Sequence, residues 1–134
     1  MAGSPSAVSR GLLDTSVFIA RESRRPLGDL PDAVAISVVT LAELQLGVLM
    51  ARRGAIRATR LRTLTAVQNA FAALPIDAEV AQRFGELVAA ARRRGRQPKI
   101  MDTWIAATAV VHDLPVYTQD DDFAAIPGLR VRLV

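Results

Sequence analysis

The sequence predicts an α/β domain built on a mostly parallel sheet, and two patterns support this prediction. Two short apolar runs, at 11–13 and at 34–39, are typical of buried strands, and the second is rich in β-branched residues. They alternate with stretches in which apolar residues recur three and four positions apart, the spacing of a helix face. Because strands that alternate with helices favour parallel pairing through right-handed crossovers, an open α/β sheet follows.

Size and composition are those of one globular domain. The chain has 134 residues, of which 51% are hydrophobic and 22% charged, a balance typical of a domain with a substantial core. Residues 1–9 contain Gly, Ser and Pro and are expected to form a flexible N-terminus. Residues 10–134 are expected to form the single domain.

Several protein classes are excluded by what the sequence lacks. There is no cysteine, which rules out disulfides, thiolate catalysis and cysteine-based zinc sites. Residues 1–10 contain no apolar segment of the kind found in secretory signals. Residues 33–51 lack Lys and Arg, but Glu43 lies near their middle, where an acid costs about 2.5–3.5 kcal/mol in a bilayer. We therefore expect a cytoplasmic protein without membrane association.

The apolar spacing predicts the order of the elements. Strands are expected at 11–13, 34–39, 114–118 and 129–133. Helices are expected after Asp14, from Thr40, over 55–74, from about Asp77 to the cations at 92–99, and from about 100 to His112. His112 is expected to cap the C-terminal end of the last helix. The helices over 55–74 and from Asp77 are expected to pair as an antiparallel hairpin. Residues 119–122 form a turn, and 123–126 a further helical turn.

Four acids each have a purely structural explanation when taken singly. Asp14 follows the first strand and is suited to cap the next helix. Thr40 and Glu43 have the spacing of a capping box, in which Thr40 is the N-cap and Glu43 the third helical residue. Asp102 lies at or before the first turn of its helix, and Asp120 lies in a turn, both common places for aspartate.

Taken together, the four acids predict a metal site. All of them lie where a strand passes into a loop or helix start, and in a parallel sheet these passages meet at one edge. Two carboxylates about 4 Å apart repel each other by about 4 kcal/mol at an effective dielectric constant near 20, so the cluster needs shared protons or a cation. Carboxylate oxygens favour Mg²⁺ or Mn²⁺, and such ions assist the hydrolysis of phosphodiesters.

Four segments, in this order, carry a resemblance to a known family: LLDTSV at 12–17, SVVTLAEL at 37–44, DTWIAATA at 102–109 and VYTQDDDF at 116–123. With them the chain resembles the PIN-domain ribonucleases, and among these the VapC-type toxins of bacterial toxin–antitoxin pairs. The resemblance implies a three-layer α/β/α domain whose mostly parallel central sheet has four to five strands. It also implies a Mg²⁺- or Mn²⁺-dependent endoribonuclease that cuts RNA, is inhibited by a small VapB-like antitoxin, and forms homodimers and toxin–antitoxin hetero-oligomers.

The same resemblance implies roles for individual residues. The catalytic acids, all of them expected to hold metal, are Asp14 and Asp102 as principal ligands, with Glu43 and Asp120 binding directly or through water. The supporting residues are Thr15, Thr118 and Asp122. Asp122 is either an accessory acid or a residue that holds the turn, and the resemblance leaves open which of the three consecutive aspartates faces the metal.

The arginine content indicates a polyanionic partner. The net charge is +4, and sixteen of the seventeen basic residues are Arg, which suits bidentate phosphate contacts. Just before Asp102 the chain carries a cationic run that is either a solvated helix end or a set of RNA contacts, namely Arg92, Arg93, Arg94, Arg96 and Lys99. Both interpretations of this run stay open.

One competing function is excluded by the sequence, and two remain to be separated. A phosphoaspartyl hydrolase also places an Asp after its first strand, but it needs a second acid two residues later, where this chain has Ser16. A PIN-like nuclease of RNA maturation or DNA processing would use the same site chemistry. A catalytically inactive module that binds RNA or a partner would keep the acids only as caps.

Overall fold

In a computed structural model of the protein, residues 8–134 are described, so most of the predicted flexible segment at 1–9 lies outside the described residues. The strands are β1 (Arg10–Leu13), β2 (Ala33–Ser37), β3 (Ala73–Leu74), β4 (Val116–Thr118) and β5 (Val131–Leu133). The helices are α1 (Thr15–Glu22), α2 (Val38–Met50), α3 (Gly54–Ala70), α4 (Ala78–Arg93) and α5 (Ile100–Val111), and a 3₁₀ helix spans Asp121–Ala125.

The sheet is entirely parallel, with strand order β3-β2-β1-β4-β5. The chain moves outward from β1 to β3 on one side and then places β4 and β5 on the other, so the strand order reverses between β1 and β4. In open parallel sheets this reversal opens a crevice at the carboxyl ends of the strands, where ligands bind. The α/β class is confirmed, and the mostly parallel sheet proves to be fully parallel.

Helices cover both faces of the sheet and produce three layers. In β1 the fully buried Leu12 packs into a cluster with Val80 of α4 and Ile105 of α5. The next residue, Leu13, points to the opposite face, because side chains alternate along a strand, and packs with residues of α1, α2 and α3 such as Leu64. The predicted α/β/α layering is therefore confirmed.

The start of α2 differs from the prediction. The structure ends β2 at Ser37, whose side chain accepts a hydrogen bond from the Val39 N–H at 3.0 Å and caps the helix. Thr40 lies buried inside the first turn, so the predicted capping box of Thr40 and Glu43 is wrong. The apolar run at 34–39 misled the prediction because a buried strand and a buried helix start have the same composition over a few residues.

A fifth strand replaces the end of the helix predicted over 55–74. Helix α3 stops at Ala70, and β3 pairs in parallel with β2. The spacing of Phe71 and Leu74 mimics a helix face, and a two-residue strand is too short to show alternation. The predicted hairpin is also wrong, because α3 packs against α2, and α4 packs against α5.

The second half of the chain follows the prediction closely. The Asp77 side chain accepts from the Val80 N–H at 2.9 Å and caps α4, and Gly95 ends that helix with φ of +68°, a conformation that glycine adopts without strain. Helix α5 is capped by His112, as predicted. Among residues 8–134, none of the helices is long and apolar enough to cross a membrane.

Candidate metal centre

Asp14 lies at the reversal point of the strand order, directly after β1. Its backbone N–H donates to Tyr117 O of β4 at 2.9 Å, which extends the β1–β4 ladder by one bond. Its carboxylate Oδ2 accepts a hydrogen bond from the Thr118 hydroxyl at 2.9 Å. Asp14 also caps α1 through a longer bond of 3.4 Å from the Ser16 N–H. The capping role and a place in the site are thus combined in one residue.

A pair of hydroxyls connects Asp14 to the acidic turn after β4. A hydroxyl has one proton, and that of Thr118 goes to Asp14, so the Ser16 hydroxyl 3.1 Å away donates to Thr118. The Thr118 oxygen also accepts the Asp120 N–H at 2.9 Å, and Ser16 accepts the Gln119 N–H at 3.0 Å. Thr118 therefore fixes the relative positions of the acids at 14 and 120.

Glu43 is held in place by a hydroxyl at the start of the neighbouring helix α1. The Thr15 hydroxyl donates to Glu43 Oε1 at 2.7 Å, and the Thr40 hydroxyl oxygen lies 3.0 Å from that of Thr15. Burial is the main reason that the pKa of Glu43 is raised, the charge of Asp14 adds to it, and the hydrogen bond from Thr15 opposes it. Glu43 thus faces the site with one oxygen anchored by Thr15.

Asp102 is the most strongly perturbed of the four acids. It is 8% exposed, and its Oδ2 is buried without a hydrogen-bond partner among residues 8–134. Burial first, then the charges of Asp14, Asp120 and Glu43, raise its pKa to about 7, and Lys99 opposes this shift. An unpaired buried carboxylate is costly unless it gains a proton or a cation.

Three carboxylates form the tightest group. Oxygens of Asp102, Asp120 and Asp122 lie within 4.8 Å of one another. Asp120 accepts the Asp122 N–H at 2.9 Å and so caps the 3₁₀ helix. The Lys99 ammonium lies 2.5 Å from Asp122 and 4.0 Å from Asp120, and it lowers the pKa of Asp122. Asp14, predicted as a principal ligand, is outside this tight group and acts on Asp102 through its charge.

Four of the acids line an open cleft of about 620 Å³, which we call the acidic cleft, namely Asp14, Glu43, Asp102 and Asp120. Of the three consecutive aspartates, Asp120 lines it, whereas Asp121 is exposed and lines a separate depression with Leu133. The acidic floor is surrounded by exposed apolar side chains, namely Ile19, Leu46, Met50, Ile100 and Met101. The cleft therefore combines a charged floor with an apolar rim.

The donor set fits a hard divalent cation. All of the candidate ligand groups are carboxylates, and oxygen ligands are those that Mg²⁺ and Mn²⁺ prefer. The sole histidine, His112, lies at the opposite end of α5 from Asp102, which leaves no nitrogen ligand of the kind zinc favours. The unpartnered Oδ2 of Asp102 supplies a free ligand atom. A cation here would neutralise the repulsion that raises the pKa of Asp102.

The predicted basic run is exposed, but its members have different surroundings. Lys99 lines the acidic cleft, and the Arg96 guanidinium donates to Ala124 O at 3.2 Å. The other three members of the run, Arg92, Arg93 and Arg94, lie at the end of α4 or just beyond it. The only tryptophan, Trp104, stacks on Phe84 with ring centroids 3.8 Å apart, so it packs the α4–α5 contact.

The sequence did not indicate Thr40 and Ser16 as parts of the site. Both are hydroxyl residues that contact a supporting threonine, Thr15 and Thr118 respectively. Their signal in the sequence is weak, because Ser and Thr are common at helix starts for capping alone. Only the fold, which brings distant segments of the chain together, shows that Thr40 contacts Thr15 and that Ser16 contacts Thr118.

Comparison with known proteins identifies the family. The PIN domain matches residues 11–129. The chain is 50% identical to Ribonuclease VapC5 of Mycobacterium tuberculosis over 96% of this chain and 93% of that protein. It is 44% identical to Ribonuclease VapC4 of the same organism, over 92% of this chain and 96% of the relative.

A solved structure agrees with this assignment. The crystal structure of VapBC-5 from Mycobacterium tuberculosis, a member of the VapBC family of toxin-antitoxin systems, superimposes with a TM-score of 0.80 at 46% identity. The match covers 94% of this chain and 98% of that one. The chain therefore belongs to the PIN-domain family and, within it, to the VapC ribonucleases.

Proposed function

We propose that the protein is a divalent-metal-dependent endoribonuclease that hydrolyses phosphodiester bonds in RNA. The observation that carries the proposal is the buried Asp102 carboxylate, which has no hydrogen-bond partner in residues 8–134 and stands among other acids. The names of the relatives, Ribonuclease VapC5 and Ribonuclease VapC4, support RNA as the substrate. Mg²⁺ or Mn²⁺ is the proposed cofactor, because the ligands are oxygens.

The proposed ligands are Asp102 and Asp14 as principal residues, with Glu43 and Asp120 completing the site directly or through water. When bound, the cation supplies activation of a water nucleophile and stabilisation of the charge that develops on the phosphoryl group. Thr118 orients Asp14 and the Asp120 backbone, and Thr15 orients Glu43. Outer contacts of this kind commonly change metal affinity or activity by about 10–100-fold when removed.

Glu43 is also suited to receive a proton. Its Oε1 is occupied by the Thr15 hydroxyl, whereas its Oε2 makes no hydrogen bond within residues 8–134. In the metal-free protein burial raises the pKa of this carboxylate, and its free oxygen faces the acidic cleft. We therefore assign Glu43 Oε2 as the acceptor of the proton that the attacking water releases.

We further propose that a small VapB-like antitoxin inhibits the protein, which forms homodimers and toxin–antitoxin hetero-oligomers. The support is the 46% identical structure, described as a member of the VapBC family of toxin-antitoxin systems. The apolar rim adds to it, because Leu46 is 58% and Met50 69% exposed beside the acids. Exposed apolar surface next to a cleft is typical of protein-binding sites.

The proposal is tested by incubating purified protein with RNA in Mg²⁺, in Mn²⁺ or in EDTA. Cleavage is expected with either metal and is expected to disappear in EDTA. Asp14→Asn and Asp102→Asn are expected to lower kcat at least 100-fold, a loss of about 2.7 kcal/mol of transition-state stabilisation. Asp121→Asn is the matched control, because Asp121 is exposed, lies outside the acidic cleft and neighbours Asp120.

Other outcomes identify the competing functions. Cleavage that persists in EDTA or in both cleft variants would contradict a metal-dependent site. RNA binding without cleavage under any metal condition would favour an inactive binding module, and cleavage of DNA in preference to RNA would favour a DNA-processing nuclease.

A further inference from the structure

Phosphate must approach a strongly acidic cleft through the few cations near it. Within residues 8–134, Lys99 is the one basic side chain that lines the acidic cleft. Its ammonium contacts Asp122, but the side chain is 66% exposed, and an ammonium has three donors. Lys99 therefore keeps donors available on the side that faces solvent.

A second cavity adjoins the acidic cleft at Lys99. It has a volume of about 400 Å³ and lies between the C-terminal end of α4 and the start of α5. It shares Lys99 and Ile100 with the acidic cleft and adds Arg92, with Val88, Gln97 and Pro98 on its walls. We call it the basic cavity, and it continues the cleft in the direction of α4.

On the opposite side of the acidic cleft, two arginines near the end of α2 are already bonded to the backbone. There Arg57 and Arg60 donate to the carbonyl oxygens of Ala51 and Gly47, at 3.0 and 2.7 Å, and satisfy the end of α2. In contrast, the Arg92 guanidinium makes no hydrogen bond or ion pair with any residue in the range 8–134. Its five donors are therefore free for a ligand.

We propose that the basic cavity is a backbone subsite for RNA, in which Arg92 and Lys99 hold phosphates adjacent to the one being cleaved. This inference rests on the proposed function. It adds the path of the RNA, because a strand bound in the basic cavity leaves the acidic cleft across α4 and α5. It also divides the basic run, because Arg93 and Arg94 line neither cavity. Arginine suits this place because its planar fork binds phosphate with two parallel hydrogen bonds.

Arg92 also has a structural role that the test must separate. It lies in the last turn of α4, where a cation stabilises the helix through its dipole. That role changes the melting temperature but does not change RNA affinity. Arg83 provides the control, because it lies on the same helix, is exposed and forms an ion pair with Glu86 at 3.4 Å.

The experiment measures binding rather than cleavage. The dissociation constant of a short, fluorescently labelled single-stranded RNA is measured by anisotropy for the wild type, Arg92→Ala, Arg92→Lys and Arg83→Ala, in EDTA and in Ca²⁺, over a salt series. Arg92→Ala is expected to weaken binding several-fold and to reduce the slope of log K against log salt by about 0.7 to 1. Arg92→Lys is expected to lie between wild type and Arg92→Ala, and Arg83→Ala to match the wild type.

Equal weakening in Arg92→Ala and Arg83→Ala would overturn the inference, because it would show general attraction to a basic surface. Absence of RNA binding by the wild type in both EDTA and Ca²⁺ would overturn it as well. If Arg92→Ala melts early, Arg92→Gln repeats the comparison with a similar side-chain length. The proposed function fails separately, when the wild type binds RNA normally but does not cleave it with Mg²⁺ or Mn²⁺.

Discussion

At the scale of single residues, Asp102 determines how the site responds to pH. Its pKa is raised from 3.8 to about 7, chiefly by burial and then by the charge of Asp14. The folded protein therefore binds this proton more tightly than the unfolded chain does. The stabilisation that the proton provides is complete below about pH 4 and is lost as the pH rises to about 7. Above that range the metal-free protein carries an unfavourable buried charge.

We therefore predict that Asp102→Asn stabilises the metal-free protein at about pH 8 and has little effect at about pH 4. After allowance for solvent screening, the gain at high pH is expected to be roughly 2 kcal/mol. Thermal or urea unfolding in EDTA at both pH values measures it. Asp121→Asn serves as the exposed control. Destabilisation by Asp102→Asn at pH 8 would show that the favourable interaction of the Asp102 charge with the N-terminal turn of α5 outweighs charge repulsion.

The residues of the site were predictable to different extents. Asp14 and Asp102 could be identified because acids at strand ends and helix starts converge in a parallel sheet. The contact of Thr15 with Glu43 joins residues that are distant in sequence, and no periodicity reports it. The same holds for the group of Asp102, Asp120 and Asp122, because Lys99 fixes the third aspartate from another element.

At the scale of elements, the start of α2 shows how a cap determines the geometry of the site. Ser37 is fully buried and caps the helix, so Thr40 is placed three residues inside it. From there the Thr40 hydroxyl reaches Thr15, and Glu43 lies one turn further along the helix. A helix that began at Thr40, as the capping box suggested, would not make these contacts.

Ser37→Ala is accordingly expected to destabilise the protein by about 0.5–2 kcal/mol, because the Val39 N–H loses its buried acceptor. Urea unfolding gives the free energy. Asp77→Ala removes the observed cap of α4. It is the positive control for the loss of unfolding free energy that follows removal of a cap. If Ser37→Ala is as stable as the wild type whereas Asp77→Ala is clearly less stable, the assignment of Ser37 as the N-cap of α2 is contradicted.

Among the elements, short and buried segments limited the prediction. The long amphipathic α4 was located from spacing, with Asp77 as its cap and Gly95 just beyond its end. The two-residue β3 was missed, because its identity depends on pairing with β2 rather than on its own residues. Helix pairing was also missed, since sequence adjacency favoured α3 with α4 whereas the sheet separates them onto opposite faces.

At the scale of the whole molecule, the proposed metal binding is coupled to folding. The acidic cleft exists only in the folded chain, so a ligand that binds it stabilises the native state by mass action. At a Mn²⁺ concentration of 100 times the dissociation constant, the gain is about 2.7 kcal/mol. For a domain of this size, that gain corresponds to an increase of roughly 10 °C in melting temperature.

This increase is predicted for the wild type and for Asp121→Asn, and it is expected to be absent from Asp14→Asn and strongly reduced in Asp102→Asn. Differential scanning fluorimetry over a Mn²⁺ or Mg²⁺ series measures it without any RNA. Equal increases in the wild type and Asp102→Asn would place the metal elsewhere on the protein.

The strand order also has a consequence for synthesis. β4 lies between β1 and β5, although it comes from residues 116–118 near the end of the chain. During synthesis, Asp14 is made 104 residues before Thr118, the residue that orients its carboxylate. Because chains grow at about 5–20 residues per second and non-local pairing is slow, β1 waits for β4 as its partner while the intervening residues are made. The strand order thus makes completion of the acidic cleft a late step, which requires synthesis at least as far as β4.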